Sequence, residues 1–236
     1  MSKILLILGS GARVGAHTAK AFAAQGYRVA SASRTAPQTP DGSHLHVTVD
    51  LSKAGTVPEV FEKVRQEFGG EPSVVVYNAA FFSPDPPDSL SVFTPSSISH
   101  YETSQAVNCT SVLVAMHEAT KAFRNAGPDA SKTFIFTGNA LNTATLPQML
   151  IFGLGKVVPS YAIKYVVEQN AYKDDGIKFY YADERTIEGA PAYRDISGEA
   201  HAEEYLKLAD RKDQGPWWYT FVKGTGYKDF EGKVKL

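Results

Sequence analysis

A glycine-rich turn near the start of the chain has the residue types and spacing to bind a phosphate. The turn follows Ile4–Leu8, an apolar run typical of a buried central strand that leads into a helix. Backbone amides and the helix dipole at such a junction attract pyrophosphate, so the pattern predicts a dinucleotide site. The alternative is an ordinary strand-to-helix turn, which also favours glycine. The predicted phosphate-binding residues are Gly9, Gly11, Arg13, Val14 and Gly15.

A basic residue follows the second predicted strand. Residues 16–25 predict a helix and residues 27–32 a strand, and with the first strand they complete a βαβ unit. Folds that prefer NAD place an acid after this strand to bind the ribose hydroxyls. This chain has Ser33 and Arg34 there instead. Because a guanidinium binds a 2′-phosphate and a carboxylate repels it, we predict NADP(H), preferred over NAD(H). The alternative is that Arg34 is only a solvated residue of a loop, with no part in cofactor binding.

The composition is that of an ordinary soluble globular chain. Of 236 residues, 43% are hydrophobic and 21% are charged, which is enough apolar material for a substantial core. A formal net charge of −1 gives no overall attraction to nucleic acid or to a membrane, so neither is an expected partner. We expect a single dinucleotide-binding domain over residues 1–236.

Cysteine and histidine usage argues against disulfide and metal sites. Cys109 is the only cysteine, which excludes an internal disulfide and a cysteine-cluster metal site. His44 and His46 lack the carboxylate or cysteine neighbours that a metal site needs. The first apolar run is too short for a signal peptide or a membrane span, and we expect a cytoplasmic protein.

Residues 45–50 and 73–77 predict the third and fourth strands. The third alternates and ends in an acid, and the fourth is rich in valine. The loop over residues 81–97 has four prolines and three phenylalanines, and we expect its aromatic rings to pack onto the protein. The alternative is that these rings cover a substrate. Residues 98–125 then predict a long helical region.

The glycine turn, the acid after the third strand, Asn-Ala-Ala after the fourth and an asparagine in the long helix together resemble the short-chain dehydrogenase/reductase family. The resemblance covers about residues 4–182 and implies an α/β Rossmann fold, with a doubly wound, seven-stranded parallel sheet and helices on both faces. The usual glycine motif is altered, because Leu8 replaces a threonine and Arg13 the middle glycine. Further cofactor contacts are implied at Asp50, Leu51, Asn78, Ala79, Ala80 and Lys156.

The family's catalytic pattern is changed in this chain. Members use a serine to hold the carbonyl oxygen, a tyrosine to supply the proton and a lysine to lower the tyrosine's pKa. The resemblance aligns the Tyr-x-x-x-Lys motif with Phe152 and Lys156, and the serine with Asn139. Asn108 matches the family's water-holding asparagine, with a structural role as the alternative. Tyr161 lies about two and a half helical turns beyond Phe152 and does not replace the tyrosine.

Phenylalanine has no exchangeable proton, and three explanations stay open. The acid comes from elsewhere, such as water, a substrate group, or Asp183, Glu184 or Arg185 after the strand predicted over residues 176–182. Alternatively, the substrate is an electrophile that needs little acid help, such as a protonated imine. In the third explanation the chain binds nucleotide without redox turnover. In every case Asn139 can still donate a hydrogen bond to a carbonyl oxygen.

The predicted substrate side lies over about residues 183–236. The substrate-pocket candidates are Phe152, Asp183 and Glu184, because substrates of doubly wound sheets bind at the carboxyl ends of strands. A salt-bridged surface turn is the alternative for the two acids. The resemblance also implies a homodimer or homotetramer formed through helices near 98–125 and 149–170. We predict an NADP(H)-dependent reductase of a small carbonyl or imine compound, with a nucleotide-binding pseudoenzyme or non-redox catalyst as the alternative.

Overall fold

Within the described residues, eight strands form one sheet: β1 (Ile4–Leu8), β2 (Arg28–Ser33), β3 (His44–Thr48), β4 (Val74–Tyr77), β5 (Thr133–Thr137), β6 (Lys178–Arg185), β7 (Trp218–Val222) and β8 (Gly226–Tyr227). Their order is β3-β2-β1-β4-β5-β6-β7-β8. Neighbours pair in parallel, except that β7 and β8 are antiparallel. The structure is a computed structural model that describes residues 3–36, 44–95 and 97–235.

In the same described part of the chain, six α-helices connect the strands: α1 (Val14–Ala24), α2 (Val57–Phe68), α3 (Ile98–Gln105), α4 (Ser111–Asn125), α5 (Leu150–Glu168) and α6 (Gly198–Asp210). Helices α2, α4 and α5 pack on one face of the sheet, and α1 and α6 pack on the other. The doubly wound α/β prediction is therefore confirmed. All five residues of β1 are buried because helices cover both faces of this central strand.

The structure corrects two details of the predicted sheet. Seven parallel strands were expected, and the eighth strand, Gly226–Tyr227, has only two residues, which is too short for a hydrophobic period to show. The sixth strand was expected to end at Ala182, but β6 continues through Arg185 with all eight residues buried. The charged triplet is thus part of the sheet and is not a turn.

Helix α5 is long and apolar enough, by length and composition, to cross a membrane. Its most apolar window has a mean hydropathy of 1.4, yet only 33% of that window is buried inside the protein. Ile151 and Ile163 lie in the core, whereas Tyr161 and Tyr165 are 67% and 56% exposed. The helix therefore has one apolar face against the sheet and a second at the surface.

Candidate active site

A cavity of about 640 Å³ opens at the carboxyl ends of β1, β2 and β4. It lies beside the point between β1 and β4 where the strand order reverses, which is where doubly wound sheets bind ligands. Nine predicted cofactor residues line it: Gly9, Gly11, Ser33, Arg34, Asp50, Leu51, Asn78, Ala79 and Ala80. Seven further lining residues were not predicted: Ser10, Thr35, Val49, Ser52, Phe81, Thr103 and Val107. The last two come from the α3 region, whose approach to the turn no local sequence pattern indicates.

The turn after β1 is built for close backbone approach. Gly9 has a φ of +98°, and a Cβ there would lie 2.3 Å from the backbone nitrogen of Ala79. The Asn78 side chain donates a hydrogen bond to the Gly9 carbonyl at 2.7 Å. Helix α1 begins at Val14, and its N-cap residue, Arg13, makes no capping side-chain hydrogen bond. The N–H groups of Val14 and Gly15 in the first turn of α1 thus have no capping side chain and suit an anion, whereas that of Ala16 donates to the Gly11 carbonyl at 3.0 Å.

Hydroxyl and charged groups line the outer part of the cavity. Ser10 Oγ donates to Ser33 Oγ at 2.9 Å. The Asp50 carboxylate accepts hydrogen bonds from the hydroxyl and the backbone N–H of Ser52, at 2.8 and 3.0 Å. These bonds, with help from nearby cations that include Arg34, lower the pKa of Asp50. The rim therefore holds a fixed carboxylate that is hydrogen-bonded within the protein, beside a guanidinium.

Four predicted cofactor residues do not line this cavity: Arg13, Val14, Gly15 and Lys156. Arg13 Nη1 donates to the carbonyl of Arg194 at 3.3 Å, so its guanidinium contacts the segment before α6. Its predicted contact with a phosphate stays a prediction. Lys156 instead belongs to a second group of residues, at the carboxyl end of β5.

The Lys156 ammonium is buried, with the residue 4% exposed. Its Nζ donates to the Thr137 carbonyl at 3.1 Å and lies 4.7 and 5.3 Å from the ring centroids of Phe136 and Phe152. Burial lowers the pKa of Lys156 to about 8, although the Asp183 carboxylate raises it in opposition. A lysine that titrates close to neutral pH is suited to exchanging a proton during a reaction.

Asn139 lies two residues beyond Thr137, whose carbonyl accepts a hydrogen bond from Lys156. The Tyr181 hydroxyl donates to the Asn139 carbonyl at 2.7 Å and accepts from its backbone N–H at 3.1 Å, which fixes the backbone. The side-chain Oδ1 accepts from the N–H of Leu141 at 3.0 Å. In the described part of the chain Nδ2 has no hydrogen-bond partner, so it can donate to a ligand.

Both polar atoms of the Asn108 side chain form hydrogen bonds within the protein. Its Oδ1 accepts from the Phe81 N–H at 2.9 Å, and its Nδ2 donates to the Phe81 carbonyl at 2.8 Å and to Ser104 Oγ at 3.0 Å. These contacts support the structural alternative for its side chain. Asn108 lies in a five-residue π-helix, Ala106–Thr110, a rare element that often marks functional sites. A Cβ on Gly155 of α5 would lie 2.6 Å from the Asn108 Cβ.

The two acidic residues predicted to line the substrate pocket make buried contacts within the protein. Asp183 and Arg185 form an ion pair with Oδ2 and Nη2 2.6 Å apart, and neither side chain is exposed. Glu184 points to the opposite face of the sheet, where its carboxylate accepts from the N–H of Ser197 at 2.8 Å. The prediction that Asp183 and Glu184 line a substrate pocket, or supply a free acid, is corrected by these contacts. Phe152 lies beside Lys156, and its place in a substrate pocket stays a prediction.

The comparisons with known proteins agree with this geometry. The family described as Enoyl-(Acyl carrier protein) reductase matches residues 11–154. The chain is 43% identical to the short chain dehydrogenase/reductase dmxR12 of Cryptosporiopsis sp. (strain 8999), over 97% of this chain and 95% of that protein. It shares its fold with the NADH-dependent reductase A1-R' responsible for alginate metabolism, with a TM-score of 0.78, 19% identity and coverage of 94% and 96% of the two chains. For a crystal structure of that reductase complexed with NAD, the TM-score is 0.74 and the identity is 20%, with 88% of each chain covered.

Proposed function

Because this chain belongs to the short-chain dehydrogenase/reductase family, we propose that it is an NADP(H)-dependent reductase of a small carbonyl or imine compound. Family membership indicates oxidoreductase chemistry with a nicotinamide cofactor and a small-molecule substrate. The observation that carries the finer proposal is the cavity at the β1–β4 switch point, with the glycine turn at its base and Arg34 at its rim.

The residues present fit such a dinucleotide. The uncapped first turn of α1 and the close approach at Gly9 suit a pyrophosphate. Arg34 and Ser33 suit a 2′-phosphate, and Asp50 with Leu51 lies where the adenosine would bind. A cavity of about 640 Å³ lies within the range of small-molecule sites, roughly 300–1,000 Å³. When bound, the nicotinamide supplies the hydride.

Replacing Arg34 by alanine tests the cofactor preference. We expect NADPH affinity to fall roughly 10- to 100-fold, the value of a charged hydrogen-bonded contact, while NADH affinity stays within about twofold. Fluorescence titration of both nucleotides measures the two dissociation constants. Arg65→Ala is the control, because Arg65 pairs with Glu62 on the outer surface of α2. Equal affinities of the wild type for NADPH and NADH would remove the proposed preference.

Two residues of the chain polarise the carbonyl group and supply the proton. Asn139 Nδ2 donates a hydrogen bond to the carbonyl oxygen, where negative charge develops. Phe152 has no proton to give, and the carboxylates of Asp183 and Glu184 are held in buried contacts. We therefore propose that the Lys156 ammonium supplies the proton directly. This role goes beyond that of a lysine that only lowers the pKa of a tyrosine.

Phe152 also favours the alternative in which the chain binds nucleotide without redox turnover. An oxidation screen at 340 nm over aldehydes, ketones and cyclic imines distinguishes the two. The proposal predicts NADPH oxidation with at least one class. Saturable NADPH binding with no oxidation across the panel would instead support a pseudoenzyme or a non-redox catalyst.

The exposed apolar face of α4 and α5 supports assembly into a homodimer or homotetramer. A groove of about 440 Å³ between these helices is lined mainly by apolar and aromatic side chains, including Leu113, Met116, Tyr161 and Tyr165. We expect light scattering to give a mass of two or four chains, and Tyr161→Glu to reduce it to one by placing a charge in the buried interface. Tyr193→Glu, at a residue 54% exposed outside this groove, is the control. A wild-type monomer would contradict the proposal.

A further inference from the structure

The segment over residues 81–85 is fixed at both ends by buried polar side chains. At its start, the Asn108 amide binds both the N–H and the carbonyl of Phe81, as a neighbouring strand would. At its end, Asp85 is 4% exposed and its Oδ2 accepts from the backbone N–H groups of Leu150 and Ile151. Two contacts distant in sequence therefore hold five residues in place.

Asp85 acts as the N-cap of α5 from outside the helix. The residue at the N-cap position, Met149, makes no capping side-chain hydrogen bond. The Asp85 carboxylate takes that role and lies at the positive end of the helix dipole. Its own backbone N–H donates to the Gln148 carbonyl at 3.0 Å. The segment is thus joined to the same helix that carries Lys156.

Between the two anchors the segment presents an exposed aromatic ring. Phe82 is 53% exposed even though it packs on the protein, as expected for the rings of this loop. Its centroid lies 5.1 Å from that of Phe152 at an interplanar angle of 67°, an edge-to-face contact. Phe152 in turn lies 5.3 Å from Lys156 Nζ. Phe82 thus keeps an exposed face on a fixed backbone, close to Phe152 and Lys156, where a ligand can contact it.

From this arrangement we infer that Phe82 and Phe152 form an aromatic wall selecting a substrate whose carbonyl is attached to a planar aromatic ring. The inference rests on the proposed function and names its substrate class. Hydride adds to the carbonyl carbon, a proton from Lys156 adds to the oxygen, and the aryl ketone becomes an aryl alcohol while NADPH becomes NADP⁺. The wall contacts the ring, which a saturated substrate lacks.

Two ketones that differ only in the ring test the inference: acetophenone and 1-cyclohexylethanone. Their intrinsic reactivities are the same in every variant, so changes in the ratio of their kcat/KM values report the protein's preference. We expect Phe82→Leu to lower the acetophenone preference roughly tenfold. Phe93→Leu is the control, because Phe93 is also exposed, at 41%, but packs on Tyr101. A ratio unchanged by Phe82→Leu would overturn the inference while leaving the reductase intact.

Binding of 2-naphthol to the NADP⁺-saturated protein gives a second readout that needs no turnover. We expect saturable binding to the wild type and to Phe93→Leu, and binding roughly tenfold weaker to Phe82→Leu. If neither ketone is reduced but this difference appears, the aromatic wall stands and the proposed reductase activity fails. If 2-naphthol binds equally to all three proteins, the aromatic wall is overturned.

Discussion

Substituting Lys156 by glutamine lowers kcat for NADPH-dependent reduction by about 10²- to 10⁴-fold, the range typical of a lost general acid. Lys156 is buried beside Thr137 and Phe152, while the Asp183 carboxylate is paired with Arg185 and the Tyr181 hydroxyl donates to the Asn139 carbonyl. The rate is measured at saturating NADPH, because the lysine is also expected to contact the cofactor. Lys164→Gln, on the same helix with a side chain 47% exposed, leaves the rate unchanged.

The pH dependence of the wild type follows from the same residue. Desolvation disfavours the charged form and lowers the pKa of Lys156 to about 8. Reduction needs the protonated amine, so kcat is level below that pH and falls roughly tenfold per pH unit above it. The groups facing Lys156 are Asp183, whose charge favours protonation, and Cys109. A rate independent of pH up to about 10, or full activity of Lys156→Gln, would contradict a proton supplied by this lysine.

Placing a methyl group on Gly155 separates α5 from the π-helix and impairs both stability and activity. The new Cβ would lie 2.6 Å from the Cβ of Asn108 and 3.0 Å from its Nδ2, so one of the two elements must move. We expect Gly155→Ala to lower the free energy of unfolding by about 1–3 kcal/mol. Because Lys156 is the next residue and Asn108 anchors Phe81, a shift near 1 Å would lower kcat by roughly 10²-fold.

Gly153→Ala provides a matched control two residues earlier on α5. A Cβ there would meet only the Leu141 carbonyl at 3.9 Å, an ordinary contact distance. Alanine is a better helix former than glycine, so this variant should be more stable by about 0.5–1 kcal/mol. Thermal unfolding and kcat measured side by side give the comparison. Equal behaviour of the two variants would show that the Asn108 contact does not constrain the site.

The glycine turn and the central strands could be predicted because their signals are local. An unbroken apolar run such as Ile4–Leu8 indicates a strand buried on both faces, and the residues after each strand converge because parallel carboxyl ends share one edge. The charged triplet Asp183-Glu184-Arg185 was expected to follow the sixth strand, because consecutive charged residues are rarely buried inside a strand. Residues two apart on a strand share a face, so the ion pair lies on one side and Glu184 on the other.

The aromatic part of the site could not be predicted in the same way. Asp85 caps a helix that begins 65 residues later, and the Phe81 backbone pairs with a side chain 27 residues away. No period or spacing in the sequence relates these positions. The π-helix at Ala106–Thr110 is equally hidden, because its residues also suit an α-helix.

Equilibrium titration of the wild type with NADPH tests the central claim most directly, because every other proposed role requires a cofactor bound in this cavity. The account predicts saturable binding of one NADPH per chain, tighter than that of NADH and weakened by Arg34→Ala. Absence of saturable binding, or binding that is indifferent to both the 2′-phosphate and Arg34, would contradict it.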